Sequence, residues 1–214
     1  MCFHGIGEPG RVLEPGEAPY WISRDVYLEI LDVLAEDPRV RISFDDGNSS
    51  DILLGLPGLL ERGLDATFFV LAGRLDRPGS LSTADVRELV ARGMGIGTHG
   101  MDHRPWRGLD PASRRRELED ARRVLAGVTG RPVTRAALPL GRYDRVLLAQ
   151  LRELGYTEVS TSDRSWAREG AWLQPRFSVR DGDTADTVRK VILGRQSPVR
   201  RTERALVGTV KRWR

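Results

Sequence analysis

Along this chain the spacing of apolar positions switches repeatedly between the short runs of strands and the three-to-four spacing of helices. Residues 39–44 read as a short strand, and 51–62 as an apolar-periodic helix closed by Gly63. The run Ala66-Thr67-Phe68-Phe69-Val70-Leu71 has the β-branched and aromatic content of a buried strand. Ser82 is suited to cap a helix reaching Arg92, with Gly93 at its C′ position. Residues 94–97 form the next strand and deliver His99 just past its end. Asp110-Pro111 opens a long charged helix to about Gly127, with proline at the first helical position. A strand over 134–138, a helix over 143–154 stopped by Gly155, and a strand over 156–161 complete the readable series.

Strands alternating with helices imply a parallel sheet covered by helices. Polar motifs directly after strands 39–44, 94–97 and 134–138 suit an α/β fold of the (β/α) barrel kind, with its site at the strand C-terminal ends. An open parallel α/β sheet is the alternative, and it places ligands at the same ends. No Gly-rich phosphate loop follows any strand, which argues against a nucleotide-binding fold.

Charge narrows the partners. The chain of 214 residues carries a net charge of +4, but residues 195–214 hold seven basic side chains against Glu203, a net of +6. The remaining chain therefore carries −2, so no nucleic-acid partner is expected of residues 1–194. The basic segment 195–214 reads as a helix on which Ala205, Leu206, Val210 and Trp213 form an apolar stripe. It is either an outer helix of the domain or a weak contact to an anionic membrane surface. No apolar run approaches the length of a membrane-spanning helix. The start, Met1-Cys2-Phe3-His4-Gly5, lacks the regions of a signal peptide, which sets the expectation of a cytoplasmic or already trimmed chain. The single cysteine, Cys2, excludes an intramolecular disulfide.

Only three histidines occur, and two stand four residues apart in Thr98-His99-Gly100-Met101-Asp102-His103. Upstream lies a paired carboxylate, Ser43-Phe44-Asp45-Asp46-Gly47. Either motif by itself has an ordinary reading: Asp-Gly is a common turn, and a four-residue spacing can be one polar helix face. Together, both after predicted strands, they supply two imidazoles and a carboxylate, a sufficient ligand set for a catalytic divalent metal. A second, adjacent Asp could then accept a proton from water. The chemistry expected is metal-assisted hydrolysis.

These motifs resemble those of the polysaccharide deacetylases of carbohydrate esterase family 4. Ser43-Phe44-Asp45-Asp46-Gly47 is similar to the family's Thr-Phe-Asp-Asp-Gly, and His99 to His103 to its His-Ser/Thr-x-x-His, with Gly100 in the Ser/Thr place. Residues 65–70 are similar to its Ala-Thr-Phe-Phe strand, and Ala137-Leu138-Pro139-Leu140-Gly141 to its Arg-x-Pro-x-Gly loop. The resemblance covers about residues 39–180. It implies a distorted (β/α) barrel of about seven strands. It also implies one divalent metal, most often zinc in this family, held by Asp46, His99 and His103. Asp45 would be the base that deprotonates the attacking water. The reaction implied is hydrolysis of an N-acetyl group on a carbohydrate, and the backbone N–H of Leu140 after Pro139 would be an oxyanion donor.

The chain departs from the family in three places. Its loop arginine is Ala137 here, so Arg176 or Arg135 would have to supply that charge. No histidine follows His103, where the family places its usual acid, and Thr161-Ser162-Asp163-Arg164-Ser165-Trp166 is only loosely similar to the fourth motif. His4, similar to a first-strand histidine of some members, is the remaining imidazole; it is either the missing acid or a packing residue, in which case Asp45, returning the proton it took, or a solvent molecule is the donor. Trp106, Trp166 and Trp172 could stack on sugar rings or belong to the core. Two other activities remain open: a non-sugar amide hydrolase with the same centre, and a metal-binding carbohydrate-recognition barrel without turnover. The expected organisation is a catalytic domain over 1–194 followed by the basic segment 195–214.

Overall fold

A computed structural model describes residues 1–192 of the chain. The basic segment 195–214, with its predicted apolar stripe, lies outside the described residues.

In chain order the elements are β1 (Cys2–Phe3), β2 (Gly5–Ile6), β3 (Trp21–Ile22), α1 (Arg24–Ala35), β4 (Ser43–Asp46), α2 (Leu56–Glu61), β5 (Thr67–Val70), α3 (Thr83–Ala91), β6 (Gly95–Thr98), α4 (Pro111–Arg115), α5 (Ala121–Thr129), β7 (Arg135–Ala137), α6 (Arg145–Glu153), β8 (Glu158–Thr161), β9 (Leu173–Pro175) and α7 (Ala185–Ile192). Wide π turns over Asp51–Gly55 and Arg116–Asp120 lead into α2 and α5. Seven strands make one sheet in the order β1-β4-β5-β6-β7-β8-β9, and β2 pairs with β3 beside it. Beyond β9, Ser178 forms a parallel bridge to Cys2, and Val179 N–H donates to the Cys2 carbonyl at 2.9 Å. Sheet order and bridge are those of the distorted (β/α) barrel expected from the sequence.

The predicted elements recur with shifted ends. The strand expected over 39–44 is displaced to 43–46, and that expected over 94–97 to 95–98. Both shifts carry strand geometry up to the motif residues themselves. Strands β1, β2, β3 and β9 are two or three residues long, too short to show a period. Helix α1 was also missing from the sequence reading, although Tyr27, Ile30, Leu31 and Leu34 form its buried stripe and Ser23 caps it by accepting from Val26 N–H at 3.2 Å.

The chain forms two compact units. One comprises residues 1–68 and 75–95 with the segment from Ser178. Its core is aromatic: Phe44 stacks on Phe68 with centroids 4.6 Å apart, and Phe3 meets Tyr27 edge-on at 5.1 Å. Each such buried side chain contributes about 1.5–3 kcal/mol of transfer free energy. Because Cys2 pairs with Ser43 and Phe3 with Phe44, period-two alternation leaves Cys2, His4, Ser43 and Asp45 on the opposite face from these rings. The other unit comprises 69–74 and 96–177. There Trp106, Leu118, Leu138, Tyr143, Leu147, Leu151, Tyr156 and Val159 pack together. Among the described residues no helix is long and apolar enough to cross a membrane.

Candidate metal centre

The first motif is the end of a strand turned into a tight loop. Asp45 and Asp46 close β4, and both are buried. Asp46 has φ 77° and Gly47 φ 71°, so the chain reverses direction at the second carboxylate. Positive φ at a non-glycine residue is uncommon and marks a position that the surroundings hold in place. Those surroundings are polar and specific. Asn48 donates from Nδ2 to the His4 carbonyl at 3.2 Å and accepts from Arg11 Nε at 3.2 Å and Nη2 at 2.8 Å. Arg11 also pairs with both carboxylate oxygens of buried Glu17. Burial would raise the Glu17 carboxyl, but the hydrogen bonds from Arg11 and from the Glu14 N–H hold it below the usual range. Leu81 N–H donates to the Gly47 carbonyl at 2.9 Å.

Asp51 follows in the same loop and is 0% exposed. Neither of its carboxylate oxygens has a hydrogen-bond partner. Burial first, and then the charges of Asp46 and Asp45, push its carboxyl well above the usual carboxylate range. The sequence reading passed over it as a helix-start residue; the available signal was its place in line with Gly55 and Leu59 on the buried face.

The second motif is built differently. His99 N–H bonds the Val70 carbonyl at 3.0 Å, and Gly100 N–H bonds Thr98 Oγ1 at 3.1 Å. Gly100 has φ 90°, and a Cβ there would collide with Glu117 Oε2 and lie 2.8 Å from Trp106 Nε1. Any serine or threonine in this place would meet the same two groups, which accounts for glycine where the family has a hydroxyl residue. Glu117, 0% exposed, accepts from Met101 N–H at 2.8 Å, from Asp102 N–H at 3.2 Å and from Trp106 Nε1 at 3.4 Å. It therefore holds the loop between the two histidines. Glu117 was also missed; it stands in the buried stripe with Leu118, Ala121 and Leu125, where a lone acid signals an internal partner. Trp106 is 2% exposed and belongs to the core.

His99 Nδ1 lies 2.9 Å from the Ala137 carbonyl. A carbonyl can only accept, so Nδ1 carries the proton and the lone pair of a neutral ring resides on Nε2. The position where the family has an arginine side chain thus contributes a backbone oxygen that orients a histidine. His103 has φ 52°, and its ring centroid is 5.3 Å from that of His99. Asp46, His99 and His103 each offer one ligand atom, and the three atoms lie within 4.8 Å of one another. Two imidazoles with a carboxylate, one imidazole tautomer fixed by an outer hydrogen bond, fit a divalent ion that retains open positions.

The match to a known family agrees with this geometry. The model of the polysaccharide deacetylases matches residues 32–159, well over half of the chain. The chain belongs to the polysaccharide deacetylase family. Among curated polysaccharide deacetylase relatives, YxkH of Bacillus subtilis, named for this family, is 27% identical over 174 residues, covering 80% of this chain and 60% of its own length. YheN of the same organism is 29% identical over 119 residues, covering 55% of this chain and 41% of its own. The chain thus spans less than two thirds of the length of these relatives. Among solved structures, IcaB from Ammonifex degensii is 25% identical with a TM-score of 0.73, covering 92% of this chain and 95% of that one. The Streptococcus pyogenes deacetylase PplD, solved with acetate, is 18% identical with a TM-score of 0.76, covering 90% and 96%, and shares the fold. The deacetylase family implies a divalent metal, and the Asp46–His99–His103 set fits one.

The remaining predicted residues have these places. Leu140, in the loop after β7, has φ 55° and is exposed, while Pro139 before it is buried. Of the five non-glycine residues with positive φ among those described, Asp46, His103 and Leu140 were all singled out from the sequence. Arg176 is buried, with its guanidinium 5.1 Å from the Phe69 ring centroid and Nε 3.5 Å from the Thr161 carbonyl. Trp166 is 42% exposed and meets Phe177 edge-on at 6.0 Å. Trp172 is half-buried under the Arg152 guanidinium and donates to the Tyr156 carbonyl at 2.7 Å. His4 lies against Tyr20 with centroids 4.7 Å apart.

Proposed function

We propose that this chain hydrolyses an N-acetyl group on a carbohydrate, with zinc held by Asp46, His99 and His103. The observation that carries the reading is the approach of those three ligand atoms to within 4.8 Å in a polysaccharide deacetylase chain that retains Asp45 beside them.

An amide carbonyl is a poor electrophile, and the chemistry that a divalent ion supplies is Lewis acidity, which polarises the carbonyl and makes hydroxide available near neutral pH. Asp45 is the base that takes the proton from the attacking water. Asp46 groups with His99 and His103 whereas Asp45 groups with Cys2 and His4, so one carboxylate can be ligand while its neighbour remains basic. The departing amine needs a proton, because an amide anion is too basic to leave. His4 is the donor in this reading, supported by a ring nitrogen within 4.8 Å of an Asp45 oxygen. The Leu140 N–H faces the developing oxyanion, and its strained backbone supports a positioned donor. Arg176 supplies the positive charge that the loop lacks at Ala137, and exposed Trp166 offers a ring face to the sugar.

The test is acetate release from a panel of N-acetylated oligosaccharides, with the protein stripped by chelator and then reloaded with zinc. Release that returns with zinc supports the proposal. Zinc-loaded protein that releases no acetate from any N-acetylated sugar overturns it, and release from simple non-sugar amides alone would move the activity to that class.

A further inference from the structure

Strand β1 contributes a second set of donors. Cys2 Sγ, a ring nitrogen of His4 and a carboxylate oxygen of Asp45 lie within 4.8 Å of one another, grouped by the strand alternation that pairs β1 with β4. Cys2 is fully buried, and its thiol contacts the Phe3 carbonyl at 3.5 Å. His4 Nδ1 is buried without a hydrogen-bond partner, which is costly for an imidazole nitrogen. The His4 ring is nonetheless held in place, by Tyr20 on its face and by the Asn48 amide on its own carbonyl. This set differs from Asp46–His99–His103 by containing sulfur, and thiolate selects soft or borderline ions over magnesium and calcium.

We propose that Cys2, His4 and Asp45 form a second, softer metal site that takes zinc or cadmium when the first is already filled. Binding displaces the thiol proton to solvent. The consequence for turnover rests on the reading of Asp45 as base: an ion held here occupies the carboxylate that must accept the proton of water, so excess soft metal inhibits the enzyme.

The chain has one cysteine, so a thiolate-to-cadmium charge-transfer band in the ultraviolet reports Cys2 and no other residue. The 214-residue chain carrying one equivalent of zinc is titrated with cadmium chloride. The expected result is a band that saturates at one cadmium per chain and is absent from Cys2→Ser. His4→Ala, which keeps the thiol and decides the question even if Cys2 variants fold poorly, should need at least about tenfold more cadmium. Absence of the band in wild type at millimolar cadmium overturns the site, as does equal affinity in wild type, His4→Ala and Asp45→Asn. In protein that releases acetate, cadmium filling the band should halt release in wild type but not in Cys2→Ser; release that persists overturns the inhibition. A protein that shows the band but deacetylates nothing counts against the proposed activity and leaves this site standing.

Discussion

Glu117 and Asp51 are both carboxyl side chains with no solvent exposure, yet their surroundings are opposite. Glu117 receives two backbone N–H groups from the loop between His99 and His103 and the indole N–H of Trp106 just beyond it. Asp51, in the loop after Asp46, receives no hydrogen bond on either oxygen and is pushed toward its neutral form. Burial by itself therefore does not define a role. A saturated buried carboxyl organises backbone, whereas one without donors beside two other acids carries a cost that a bound cation would relieve.

The comparison breaks most readily at Glu117. Glu117→Ala removes the acceptor of three N–H donors, of which Met101 N–H and Trp106 Nε1 are buried; at about 1–3 kcal/mol for each of those two, a loss of about 2–6 kcal/mol is expected in denaturant unfolding of metal-free protein. A loss under about 1 kcal/mol would mean that the loop is held by other contacts. Gly100→Ala attacks the same assembly from the other side. It places a Cβ into Glu117 and Trp106 at φ 90°, and the left-handed backbone and overpacking together predict a loss of about 2–4 kcal/mol by the same assay.

Asp51 sharpens the contrast through pH. Its folded pKa lies above the ordinary 3.8, so over that window the folded protein keeps a proton that the unfolded chain has released. Stability contributed by this group is fully present below the unfolded pKa and is lost as pH rises toward the folded one. Asp51→Asn removes the dependence. The melting temperature of metal-free Asp51→Asn relative to wild type should therefore rise from about pH 4 toward neutral. A constant difference would show that Asp51 is not held neutral.

Much of this arrangement was legible in the sequence because strand-end motifs are local. Asp45-Asp46-Gly47 and the two histidines each follow a run with readable period, and strand-to-helix alternation orders them in one parallel sheet. The supporting groups were not legible, since each acts across long sequence separations. Arg11 reaches Asn48, Glu117 reaches Met101, and the Ala137 carbonyl reaches His99 through backbone that carries no side-chain signal. Strands of two residues, such as β1, leave no period to read, and with β1 went the grouping of Cys2, His4 and Asp45.

The central claim is a division of labour between adjacent carboxylates: Asp46 holds metal and Asp45 moves a proton. Metal content and acetate release, measured together on Asp45→Asn and Asp46→Asn, test it most directly. The account predicts that Asp45→Asn keeps one bound metal while kcat falls by about 10² or more, and that Asp46→Asn loses the metal itself. Metal lost from Asp45→Asn and retained by Asp46→Asn would contradict it.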